Sequence, residues 1–225
     1  MVLHMKEKSL MPDAVLERIL ISMDWDLLRE KLVQDRRIVR QLISRVYAFE
    51  GLLFWRLVEA IGIAAETIDE QKPGYAAELV RRCLWQFNEE SGGTAWNVSE
   101  VIGCIMAHCP EQCGHFHWQL ARMIEDESLR LGALWGLARL ALVSPKDVYP
   151  VAELVLPLLE SPDPQIRGRA ILLKALVPGW DELVADTTGD KLFDDSVEIE
   201  LYFNNRLQKY SIAELYEPQF LYQAG

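Results

Sequence analysis

The sequence has no apolar run long enough to span a bilayer. Its best candidate, "ALWGLARLALV" (133–143), is about half the length required and carries Arg139. The N-terminal "MVLHMKEKSLMPD" lacks the apolar stretch of a secretory signal. The expectation is a cytoplasmic protein with no membrane partner. Cysteine is scarce: four residues in 225, with no C-x-x-C, which argues against a disulfide scaffold. In a reducing compartment these stay thiols. Positive charge is also short. The first fifty residues are near neutral, but the other 175 hold fourteen Lys/Arg against twenty-six Asp/Glu, and the whole chain carries −11. Such a surface repels phosphate backbones and argues against nucleic acid, whereas a basic protein or peptide suits it. No phosphate loop, dinucleotide fingerprint or Ser-His-Asp set is present, so no established catalytic motif points to an enzyme.

What the chain does have is apolar residues, half of the total, spaced for helices. Helices are expected over 12–23, 24–33 (with Asp24 as N-cap), 36–49, 50–68 and 74–91. The turn-forming "DEQKPG" separates the last two. Further helices are expected over 98–109 and 111–125, divided by Pro110, then over 148–160 and 180–186. Short loops between helices make them antiparallel neighbours.

A repeat underlies this pattern. "Glu59-Ala-Ile-Gly62" recurs as "Glu100-Val-Ile-Gly103", and the same helical position returns as "Ala133-Leu-Trp-Gly136" and "Ala170-Ile-Leu-Leu173", at offsets of 41, 33 and 37 residues. "DPQIRGRA" (163–170), and more loosely "WRLVEAIG" (55–62) and "LRLGALWGLA" (129–138), resemble HEAT-like repeats of the phycobilisome-lyase type, over about 50–186. The resemblance implies an all-α superhelix, a HEAT-like solenoid. A helical cap (1–49) precedes about four repeats (50–186), and a β-hairpin and tail cap (187–225) follow. The hairpin is read from the alternation in "VEIELYFNNRLQKYSI" (197–212), with Asn204-Asn205 at its turn. Some proteins of this type act on bilin chromophores, but no cysteine or polar set here supports a lyase-like accessory role.

The segment "LWQFNEESGGTAWNVSE" (84–100) interrupts the repeat frame. Gly92-Gly93 suit a left-handed helix exit, Asn97 and Glu100 have capping-box spacing, and Trp96 and Val101 have hydrophobic-staple spacing. Glu89 and Glu90 follow Trp85 and Asn88 in a last helical turn, where outward carbonyls prefer cations. Local rules are broken where function needs it. The stretch also resembles one found in a small group of HEAT-like bacterial proteins of unsettled function. Trp85, Asn88, Glu89, Glu90, Ser91, Trp96 and Glu100 are therefore the expected partner-binding residues, on a scaffold that binds a protein or peptide through its second helices. Glu89, Glu90 and Glu100 also offer paired carboxylates for acid–base chemistry, the enzymatic alternative.

"CIMAHCPEQCGHFHW" (104–118) holds three cysteines and three histidines. Cys104 and His108 are four apart, as are Cys113 and His117, and an antiparallel hairpin would pair 104 with 117 and 108 with 113 as a Cys₂His₂ set, which zinc accepts. The helical phase opposes it. On an apolar stripe of Val98, Val101, Ile102, Ile105 and Cys109, Cys104 falls about 120° away. Cys109 and Cys113 read as small core residues, His115 and Trp118 as more exposed. The favoured expectation is a plain hairpin without cofactor, with zinc at these four residues as the alternative. Arg36, Arg37, Arg40 and Arg45 read as a solvated stripe pairing with nearby aspartates. Trp25, Trp55, Trp85, Trp135 and Trp180 read as core.

Overall fold

The computed structural model describes residues 11–88, 97–183 and 194–222. It is mostly helical, with one two-stranded antiparallel hairpin. The first three helices are α1 (Asp13–Ser22), α2 (Trp25–Gln34) and α3 (Ile38–Ser44). Met23, at φ 55°, ends α1, and the Asp24 carboxylate accepts from Leu27 N at 3.1 Å to start α2. The helix expected over 36–49 stops at Ser44. Beyond it Arg45, Val46 and Ala48 each donate to the carbonyl three residues back, so the chain tightens into turns. Arg45 grips Asp13 at 2.7 Å and Arg37 grips Asp35 at 2.7 Å, so two of the four stripe arginines pair with aspartates.

α4 (Gly51–Gln71) and α5 (Tyr75–Asn88) form an antiparallel pair. Buried Asp69 accepts from Ala76 N at 2.8 Å, so the outgoing end of α4 caps the start of α5. α6 (Val98–His108) packs on α4, and Cys109-Pro110 turns the chain into α7 (Pro110–Cys113). α8 (His117–Arg122) follows. The single helix expected over 111–125 is thus two short helices, each followed by a 3₁₀ turn. A side chain at Gly114 would collide with the Asp147 carboxylate, so this position is spent on close packing.

α9 (Arg130–Val143) packs on α6. Between it and α12 (Pro164–Leu176) lie α10 (Pro145–Val148) and α11 (Ala152–Val155), with 3₁₀ turns at 149–151 and 156–160. Here too a continuous helix was expected. Pro150 and Pro157 lack the N–H that an α-helix needs and crowd the preceding turn. α12 starts with Asp163 accepting from Gln165 N at 2.8 Å and Pro164 in the first turn. The α13 helix (Trp180–Leu183) follows. The order of packing is α4 on α6, α6 on α9, α9 on α12, with shorter segments between. No described helix is long and apolar enough to cross a membrane.

β1 (Glu198–Phe203) and β2 (Arg206–Ser211) pair with Phe203 opposite Arg206. Asn204 and Asn205, at φ 50° and 60°, supply the two left-handed residues this tight turn requires. Ile199, Leu201, Tyr202 and Phe203 are buried. Trp135 Nε1 donates to the Tyr202 carbonyl at 2.8 Å, and Trp55 stacks on the Tyr202 ring at 5.5 Å between centroids, so the hairpin is bound to α4 and α9. α14 (Ile212–Leu215) starts in a capping box made by Ser211 and Glu214. Phe220 in the tail stacks on Tyr210 at 3.9 Å.

Candidate functional site

Among the expected partner-binding residues, Glu89, Glu90, Ser91 and Trp96 lie outside the described residues, as do the glycine pair and the staple that includes Trp96. Asn88 is the last residue of α5. Trp85 is 68% exposed, which corrects its reading as core; Trp135 and Trp180 are buried as expected. It stands on the outward face of α5 with Glu78, Arg81 and Arg82, and Glu78 pairs with both arginines at 3.7 and 3.3 Å.

Glu100 takes a different place from the one its spacing predicts. Asn97 is the N-cap residue of α6, but its side chain makes no capping bond, and Glu100 turns instead onto α9. Gly132 lies directly beneath Glu100 and Ser99, where any Cβ would collide with both. Ser99, fully buried, has its hydroxyl 2.9 Å from Glu100 Oε2 and 3.2 Å from the Leu129 carbonyl. One hydroxyl proton cannot serve both acceptors. Both are satisfied when Glu100 is protonated and donates to Ser99 Oγ, leaving the Ser99 proton for Leu129. Burial acts in the same direction and raises the Glu100 carboxyl to about 7, while its own backbone N–H, the bond that Ser99 donates to the ionised form and the charge of Arg169 on α12 act against it.

The cysteine–histidine stretch splits in two. Cys104 and His108 share the face of α6 that meets α4, and the residue they meet there is Glu59. Cys113 and His117 do not join them: among the described residues, the close set of metal-ligating side chains is Glu59, Cys104 and His108, with ligand atoms within 4.8 Å of one another. Cys113 is buried beyond the turn, and His117 Nδ1 donates to the Gly114 carbonyl at 2.8 Å. Cys104 is fully buried, which corrects its placement off the core stripe. α6 is covered by α4 on one side and α9 on the other, so it has no single solvent face for a stripe argument to use. Cys109 and Cys113 are core residues, as their phase predicts, and burial drives both thiols upward. His115 is exposed and Trp118 half-buried.

The set sits in a charged network. His108 Nε2 lies 2.9 Å from Glu59 Oε1, and its Nδ1 lies 3.5 Å from Glu66 Oε2 on the next turns of α4. Arg139 of α9 reaches both Glu59 oxygens at 3.1 and 3.0 Å, and Cys104 Sγ lies 3.9 Å from Oε2. Arg29 of α2 approaches Glu66 at 3.6 Å. Burial alone would raise the Glu59 carboxyl, but His108 and Arg139 outweigh it and hold the group ionised. Burial alone would lower His108, but Cys104, Glu59 and Glu66 outweigh it and keep the ring above the ordinary histidine range. Buried charges must be paired, and here each one is.

Sequence reasoning misses Glu59, Glu66 and Arg139. The available signals were a lone arginine inside the apolar 133–143 run and a glutamate repeating at the Glu-x-x-Gly position of an apolar helix. A charge in such a setting requires a partner. Compared with family models, with curated proteins and with solved structures, the chain matches none.

Proposed function

We propose that this chain is a non-enzymatic interaction module, a HEAT-like solenoid that binds a protein or peptide partner through its second helices and the 85–100 segment. The observation that carries the reading is Trp85, 68% exposed on α5, the helix that leads into that segment. A large aromatic presented to solvent costs apolar exposure, and Trp is the side chain most enriched where partners anchor. The solenoid reading draws support from the succession α4, α6, α9, α12 and from the contact of Gly103 with Gly136, which occupy equivalent positions in the sequence repeat. The net charge of −11 suits a basic partner.

The test compares affinity enrichment on the full-length protein with Trp85→Ala and Glu89→Ala/Glu90→Ala variants, each checked for folding by circular dichroism. The expected result is a partner retained by the wild type and released by added salt, with recovery at least tenfold lower for folded Trp85→Ala. Equal recovery by the folded variants would remove this segment as the binding surface.

A further inference from the structure

We propose that Glu59, Cys104 and His108 form a binding site for a zinc-type divalent metal ion between α4 and α6, with Glu66 as the carboxylate behind the histidine. This site is separate from the Trp85 surface and does not depend on it.

The donor chemistry selects the metal class. A thiolate, an imidazole and a carboxylate together suit zinc and similar first-row dications, whereas calcium and magnesium take oxygen donors. The geometry is close to what such an ion needs. Bond lengths of ~2.0 Å to N and O and ~2.3 Å to S at tetrahedral angles place N and O ~3.3 Å apart and S and O ~3.5 Å apart. His108 Nε2 and Glu59 Oε1 are 2.9 Å apart, and Cys104 Sγ and Glu59 Oε2 are 3.9 Å apart. The two distances run to different oxygens of Glu59; taking one donor atom from each residue, the three atoms lie within 4.8 Å of one another, so side-chain rotations are needed to gather them about one ion. Cys104 and His108 are four apart on α6, so one helical face carries two ligands.

Two neighbours support the assignment. A Cβ on Gly62 would strike both the His108 ring and Cys104 Sγ, so the glycine keeps the space in which these two groups converge. Glu66 Oε2 stands 3.5 Å from His108 Nδ1, the nitrogen not aimed at Glu59. Metal-bound histidines commonly have a carboxylate in this position, where it fixes the ring orientation. Three protein ligands leave a fourth position for water or another donor. Glu66, with a side chain 36% exposed beside a His108 that is 16% exposed, marks the approach from solvent.

Charge is conserved in the exchange. The dication enters as the Cys104 Sγ–H and His108 Nε2–H protons leave to solvent, and no oxidation state changes. Arg139 therefore faces the same total charge before and after, and it can keep its hold on Glu59.

The test uses the full-length protein, stripped with chelator and titrated with Co²⁺ and then Zn²⁺. The expected result is one equivalent bound, a near-ultraviolet thiolate-to-cobalt band, visible bands of four-coordinate intensity, and displacement of cobalt by zinc. Cys104→Ala is expected to abolish the near-ultraviolet band. Cys109→Ala and Cys113→Ala are expected to keep it, and Glu66→Gln is expected to weaken zinc binding about tenfold or more. Absence of the band from the wild type overturns the site, a result that no folding defect in a variant can obscure. A band that survives in folded Cys104→Ala, or that disappears in folded Cys109→Ala or Cys113→Ala, also overturns it. Unchanged affinity in Glu66→Gln overturns the role given to Glu66.

Discussion

Gly103 of α6 and Gly136 of α9 meet backbone to backbone, with no room for a Cβ on Gly103 against the Gly136 Cα. This contact lets the two central helices approach closely. In a helix interior alanine is favoured over glycine by ~1 kcal/mol, so Gly103→Ala would stabilise an isolated helix. In this protein it is expected to destabilise by about 2–3 kcal/mol, because the obstacle is backbone and cannot rotate away. Urea denaturation followed by circular dichroism measures the change. A variant as stable as the wild type would mean that the helices separate at no cost.

Glu59 and Arg139 join α4 to α9 across α6, with side chains only 12% and 16% exposed. Removing one member strands the other, so Glu59→Gln and Arg139→Gln should each cost about 3 kcal/mol in chelator-treated protein. The double variant should cost less than the two together, by about 1–3 kcal/mol. Additive losses in this double-mutant cycle would show that the pair makes no energetic contact.

The hairpin is tied to the helices by the 2.8 Å bond from Trp135 Nε1 to the Tyr202 carbonyl. Trp135→Phe keeps most of the apolar volume but leaves that carbonyl without its donor. A loss of about 1–3 kcal/mol is expected, with β1 amides showing the larger change in hydrogen exchange. If exchange in β1 is unaltered, the bond does not secure the hairpin.

Glu100 provides a pH-dependent readout. Its carboxyl rises from 4.5 to about 7, chiefly through burial, against Ser99 and Arg169. Below the unfolded value the group is protonated in both states and contributes nothing. Between the two values the unfolded chain has lost the proton and the native chain retains it, so stability falls as pH rises. Above the folded value the whole penalty is present. Glu100→Gln removes it, so the variant should gain on the wild type by on the order of 2–3 kcal/mol between pH 5 and pH 8. Urea melts of both proteins at the two pH values give this difference directly, and a constant difference would contradict a half-buried, proton-retaining Glu100.

Features set by adjacent residues are legible in the chain. Asp24 starts its helix at the predicted position, and Asn204-Asn205 turn the hairpin, because each acts through its own backbone or an amide three residues away. Pro150 and Pro157 carry the same kind of local information, and they break a segment that apolar spacing alone reads as a continuous helix. The candidate site is only half legible. The four-residue spacing of Cys104 and His108 places them on one face of α6, but Glu59 reaches them from 45 and 49 residues upstream. A stripe calculation puts Cys104 off the core because it assumes one buried face, and α6 has two.

The sequence by itself determined the helical class, the main helix starts, the hairpin turn and the shortage of positive charge, since these follow from spacing, capping and composition. Only the tertiary structure decided that Cys104 and His108 face Glu59 rather than Cys113 and His117, that Arg139 balances them, and that Glu100 is turned onto Gly132. The reason is that a buried charge is stabilised by whatever lies across the helix interface, and which residues lie there depends on how the helices stack, not on how far apart they are along the chain.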